Sequence, residues 1–179
     1  GSGTEVNAVS LLEANGITYD DFSPQRLNFN ETADALRDGD IDAGFWSVGP
    51  PASSIMSLAN SRDIQVMNLS DEEVANAMAE EPVFAPYDMP VGTYEGVDEV
   101  VKTIGIPNVL VVNSAMSDDL AYNITRIMFE HVSELRAVHP AAYSTTPNFS
   151  VGATPIPLHP GSARYYEEIG FSLPARLQP

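Results

Sequence analysis

Ala35-Leu36-Arg37-Asp38-Gly39-Asp40-Ile41-Asp42-Ala43-Gly44-Phe45-Trp46-Ser47-Val48-Gly49-Pro50-Pro51 is the stretch whose reading sets the fold class. It reads as the end of a helix, a glycine stop at Gly39, a short strand over residues 41–46, and a loop of small residues and prolines. Asn30 is the expected N-cap of that helix, which carries Ala33 and Leu36. Before it, Val6, Val9, Leu11 and Leu12 ahead of Gly16 predict a helix over residues 4–15, and residues 26–29 form a short strand candidate. After it come a helix over 52–60, a strand over 64–69, and a helix running to about 80. That last helix opens on a capping box, Ser70 with Glu73 three residues on. Alternation of this kind is the signature of an α/β fold with a partly parallel sheet.

The character changes between residues 82 and 107. Pro82, Pro86, Pro90 and Pro107, with Gly92, Gly96 and Gly105, break any continuous helix, so extended segments crossing between lobes are expected. Residues 109–113 predict an apolar strand. Ser117 caps the longest predicted helix, to about 136, with Leu120, Ile124, Ile127, Met128 and Leu135 on one face. Pro140 ends it. Pro155-Ile156-Pro157-Leu158-His159-Pro160-Gly161 is rigid and extended and leads into a last helix holding Tyr165 and Tyr166.

Composition narrows the function. The chain has 179 residues, 44% of them apolar, enough for a real core and too apolar for a disordered acidic tail. Twenty-five acidic residues against eight basic ones leave a net charge of -17, which repels phosphate backbones and excludes a general nucleic-acid binder. Lys102 is the only lysine. Such a surface fits adaptation to high salt and equally an ordinary acidic extracytoplasmic protein. With no cysteine, disulfides, thiolate catalysis and Cys-ligated zinc are excluded. No apolar run is long enough to insert into a membrane.

Gly1-Ser2-Gly3-Thr4 opens directly onto a helix. Small residues let the backbone approach a ligand, a helix start leaves N–H groups unpaired, and two hydroxyls add donors, so the segment suits a carboxylate or phosphate. The same letters also read as a plain N-cap. Phe45-Trp46-Ser47-Val48-Gly49-Pro50 lies where an α/β sheet presents its strand ends, and Trp46, the only tryptophan, would cover an organic solute there or sit in the core. His131, His139 and His159 lack metal-ligand spacing, so no metal and no cofactor is expected. Asp20-Asp21, Glu72-Glu73 and Glu167-Glu168 sit in turns or at helix ends, where solvation accounts for them. No nucleophile elbow, phosphate loop or zinc-protease motif occurs. The Asn-x-Ser/Thr matches at Asn30, Asn68, Asn123 and Asn148 are expected by chance in a polar chain.

The order of several segments resembles the TAXI-type solute receptors of TRAP transporters. It rests on Gly1-Ser2-Gly3-Thr4-Glu5 with Leu11-Leu12-Glu13-Ala14, then on residues 35–45 quoted above. It continues in Pro90-Val91-Gly92-Thr93-Tyr94-Glu95-Gly96 and residues 155–166. The resemblance implies a type II periplasmic-binding architecture of two lobes, with an incomplete first lobe. Residues 1–90 would be the second, ligand-binding lobe, and 91–179 the crossover and the returning part of the first. It also implies that a signal peptide and a strand-helix region precede Gly1 in the whole protein.

In function, it implies a periplasmic or extracytoplasmic receptor that captures a small organic anion or amino acid, a glutamate-like carboxylate included. The receptor delivers it to TRAP transporter membrane subunits. Ser2, Gly3 and Thr4, with Gly1, would hold the carboxylate. Phe45, Trp46, Ser47, Gly49 and Pro50 would line the cleft, with Tyr87 and Tyr94 near the crossover. Gly44 and Trp46 stand where small or phenylalanine-like residues are usual in the family, which leaves ligand size open. Two other functions stay in play: an enzyme on the same two-lobe fold, and a surface antigen without ligand.

Overall fold

Polar caps start most of the helices. The computed structural model describes residues 2–179; Gly1, one of the expected ligand contacts, lies outside the described residues. The chain divides into two compact units, Gly1–Ile106 and Pro107–Pro179.

The first unit contains α1 (Gly3–Ala14), α2 (Phe29–Asp38), α3 (Ser53–Ala59), α4 (Asp71–Glu80), β1 (Ala85–Met89) and β2 (Val101–Gly105). Ser70 and Glu73 form the expected capping box of α4. Helix α2 starts earlier than its sequence reading. Asn28, not Asn30, is the N-cap, because only Asn28 has a glutamate, Glu31, three residues on to return the hydrogen bond. Gly39 closes α2 at φ 82, the left-handed conformation that favours glycine.

The sheet is smaller than expected. Among the described residues it is one antiparallel pair, β1 with β2, in which Tyr87 faces Thr103 and Met89 faces Val101. The partly parallel sheet of the sequence reading is absent there, and residues 26–29, 41–46 and 64–69 run without forming a strand. Strand preference is realised only beside a paired neighbour, and each segment meets a different local demand. The first turns into the Asn28 cap. The third touches β2, where Leu69 N donates to Lys102 O at 2.9 Å. Lys102 N, however, donates to the Asn68 side chain at 2.6 Å, so a side-chain oxygen replaces the next ladder carbonyl.

Two apolar clusters hold this unit. Leu11, Ala77 and Phe84 pack with Phe45, Leu69 and Ile104 where α1, α4 and the hairpin meet. Ala59, Tyr94, Val97 and Val101 pack with Ile55, Ile64, Val66 and Met89. Asn15 ties α1 to α4: its amide donates to Glu73 O at 3.3 Å, and its Oδ1 accepts from Asn76 at 3.2 Å.

The second unit contains α5 (Asp118–Glu130), α6 (Val132–Val138), a 3-10 turn (Pro140–Ser144), α7 (Pro147–Ala153), α8 (Pro160–Glu168) and a short 3-10 turn (Ala175–Leu177). Ser117 caps α5 as expected, but the long helix breaks at His131, whose backbone leaves helical geometry (φ -108°, ψ 20°). Its buried stripe is Ala121, Thr125 and Phe129. Leu120 and Ile127, read on the apolar face of this helix, are half exposed. The reason is Gly161 of α8: a Cβ there would lie 2.0 Å from Asp118 O and 2.8 Å from Tyr122 N. Contact this close brings the two backbones together and requires the small face of α5. Phe129 and Tyr165 stack at 5.9 Å between centroids, with Tyr166 edge-on to both. Residues 109–113 form no strand, and Leu110 and Val111 are 69% and 66% exposed.

Candidate functional site

The opening of α1 is a helix start capped by a side chain. Ser2 is its N-cap, accepting from Glu5 N at 3.2 Å, so the lone pair is used while the hydroxyl proton stays available to donate. Thr4 lies in the first turn and Gly3 begins it. Glu5 would oppose an anion here, but Arg26 Nε donates to it at 2.7 Å and the Tyr19 hydroxyl at 3.3 Å. The Arg26 bond holds the Glu5 carboxyl below the usual range, so it is ionised and compensated. Arg26, with its side chain 65% exposed, is a cation beside the helix start that no motif pointed to.

The second expected segment reaches the same helix. Asn7 Nδ2 donates to Ser47 Oγ at 2.8 Å, one helical turn beyond Thr4. Phe45 packs into the Leu11–Ala77–Phe84 cluster beneath the loop. Trp46 Nε1 donates to Ser54 Oγ of α3 at 3.2 Å. Gly49 is exposed, and Pro50 is half-buried at the cis Pro50–Pro51 bond. Ala52 N, at the far end, donates to the Tyr94 hydroxyl at 3.0 Å. Loop 45–52 is thus tied to α1, α3 and the 91–98 turn.

Tyr94 is buried at 5% exposure, and burial pushes its hydroxyl pKa up, with the Ala52 bond opposing. It is therefore an anchor of the loop. Tyr87 is half-buried in β1, its Cβ 3.3 Å from where a Cβ on Gly105 would stand. Two open depressions of this unit lie elsewhere: one of about 360 Å³ is lined by Met56, Asn60 and residues 91–98. Another is lined by residues 59–63 with Glu95. Neither includes a residue of loop 45–51.

The other chemistry flagged in the sequence serves structure. Asp21 accepts from Thr18 N and Oγ1, and both bonds hold its pKa down. Glu73 is held down by its capping bond to Ser70 N. Glu168 accepts from the Tyr122 hydroxyl at 2.7 Å. His159 caps α8: its Nδ1 accepts from Gly161 N, leaving Nε2–H to donate to Met116 O at 3.0 Å. Among the described residues, no group of three or more His, Asp or Glu side chains is placed to hold a metal ion.

A mixed helix-and-strand chain of this kind is compatible with an α/β binding-protein-like fold. The model of the NMT1-like family matches residues 1–170, and the chain belongs to that family. It is a periplasmic substrate-binding family that includes TAXI-type receptors, with an extracytoplasmic solute-binding role. Among the described residues, no helix is long and apolar enough to cross a membrane.

Proposed function

We propose that this protein is a TAXI-type receptor that captures a small organic anion or amino acid, glutamate-like carboxylates included, and hands it to the membrane subunits of a TRAP-type transporter. In this reading residues 1–90 belong to the second lobe of a two-lobe receptor, and 91–179 to the crossover and the returning part of the first. The observation that carries the reading is the Asn7–Ser47 bond, which ties the helix that follows Ser2 to loop 45–50, forty residues away in sequence. Ser2, Gly3 and Thr4 supply amide and hydroxyl donors and the positive end of the α1 dipole. Trp46, Ser47, Gly49 and Pro50 supply the neighbouring wall, with Phe45 supporting it from below. Tyr94 fixes the end of the loop, and Tyr87 lines the approach.

Calorimetric titration of the whole protein with glutamate and a panel of small carboxylates tests this. Hydrogen bonds to a charged group are worth about 1.5–3 kcal/mol, so Ser2→Ala with Thr4→Ala should weaken binding about ten- to a hundredfold. Ser2→Asp separates ligand contact from helix capping: aspartate caps as well as serine but places a negative charge in the cradle. Its melting temperature should match the parent while carboxylate affinity falls. A Ser2→Asp protein that binds its carboxylate as tightly as the parent overturns the cradle.

A further inference from the structure

Trp46 meets both Gly44 and Ser54. The six-membered ring of Trp46 lies against the backbone of Gly44. A Cβ on Gly44 would stand 2.5 Å from Cζ3 and 2.8 Å from Cη2 of that ring, and 2.7 Å from the Thr32 methyl of α2. Real Cβ contacts do not come this close. Gly44 is not among the glycines with positive φ, so space and not backbone freedom demands glycine there. On the other side the indole N–H is held by Ser54, which is buried at 8% exposure. Thr32, also 8% exposed, is fixed in turn, its hydroxyl donating to Asn28 O at 2.8 Å. The indole is therefore held by one steric contact, with the Gly44 backbone, and one polar contact, with Ser54 of α3.

We infer that Gly44 and Ser54 are positioning residues that lock the Trp46 indole, and through it loop 45–51, into a single arrangement. This rests on the reading of that loop as a ligand wall and deepens it. Because the indole N–H is already spent on Ser54, Trp46 offers a solute only the remaining area of its ring. The wall therefore selects for an apolar or planar solute body, while hydrogen bonding comes from the α1 end. Gly44 and Trp46 are one coupled feature: the large indole sits where it does only because residue 44 has no side chain.

The test uses the only tryptophan as its own reporter and needs no solute. Gly44→Ala should displace the indole, moving its emission to the red and raising acrylamide quenching about twofold. Ser54→Ala should leave the ring in place but let it move, raising quenching without the same red shift. Stability gives the second readout, through a double-mutant cycle. Gly44→Ala should lower the unfolding midpoint strongly in the Trp46 protein and clearly less in a Trp46→Phe background, where the offending ring atoms are gone. Unchanged emission and quenching in Gly44→Ala, or an equal loss of stability in both backgrounds, overturns the lock. Carboxylate titration of the same variants is scored separately. A lock confirmed by emission in a protein that binds no carboxylate leaves this inference standing and removes the binding reading.

Discussion

At the scale of single residues, the firmest constraints are steric. Gly161 has no room for a methyl group: its neighbours are backbone atoms of Asp118 and Tyr122, which cannot rotate away as a side chain would. Overpacking in a closed core typically costs about 1–3 kcal/mol, and a backbone clash lies at the upper end or beyond. Gly161→Ala should therefore lower the melting temperature of the second unit by many degrees while leaving Trp46 emission, which reports on the first unit, unchanged at low temperature. Calorimetric melting alongside fluorescence checks this, and a variant that melts with the parent would show that α5 and α8 do not approach so closely. The loop residues tell a similar story through hydrogen bonds. Asn7→Ala removes the one bond between α1 and Ser47, a net loss of about 0.5–1.5 kcal/mol with faster amide exchange expected at Ser47 and Val48. None of these partners was visible in advance. Asn7 and Ser54 belong to no motif, Gly161 stands out only as the end of the 155–161 segment, and what makes each important is a residue distant in sequence.

At the scale of elements, local chemistry was legible and pairing was not. The Ser70–Glu73 box, the Gly39 stop and the Ser117 cap each depend on a few consecutive residues, and each stands in the structure as read. The strands over 26–29, 41–46, 64–69 and 109–113 depend on a neighbour, and no ladder forms for them among the described residues. The buried stripe of α5 depends on a neighbour in the same way: apolar spacing puts Leu120 and Ile127 on one face, and the approach of α8 through Gly161 selects Ala121, Thr125 and Phe129 for burial. Of the candidate site, the two segments were legible and the bonds joining them were not. A prediction belongs to the capping box of α4. The bond from Ser70 N lowers the pKa of Glu73 in the folded protein. Its contribution is therefore complete above the ordinary glutamate pKa of about 4.3 and is lost as pH falls through the depressed folded value. Glu73→Gln keeps an acceptor for Ser70 N but removes the charge. The stability gap between parent and variant should be open at neutral pH and close in acid. A gap that is constant down to pH 3, about a unit below the free glutamate pKa, would show that the charge contributes nothing to the cap.

At the scale of the whole molecule, charge dominates. Twenty-five acids face eight cations, and most of those cations are already engaged locally. Arg26 binds Glu5, Arg37 binds Asp34, Lys102 binds Asp71, Arg126 binds Glu130 and Arg164 binds Asp119. Arg176 is spent on the carbonyls of Val151, Gly152 and Thr154 at the end of α7. Exposed pairs of this kind are worth only about 0–1 kcal/mol each, so they relieve the acid excess locally without removing its long-range self-repulsion. Salt acts on the two in opposite directions: it weakens the surface pairs slightly and screens the repulsion among all the remaining carboxylates. With a net charge of -17 the second effect is the larger. At about 1 M salt the Debye length falls to about 3 Å, shorter than most separations between surface carboxylates. The melting temperature should therefore rise steadily from dilute buffer to molar KCl. NaCl should act like KCl if screening is the cause, and sulfate should add a further increment by strengthening apolar burial. Differential scanning calorimetry over that series decides the matter. A flat or falling melting temperature in KCl would mean that the local pairs, and not the net charge, govern the stability of this chain.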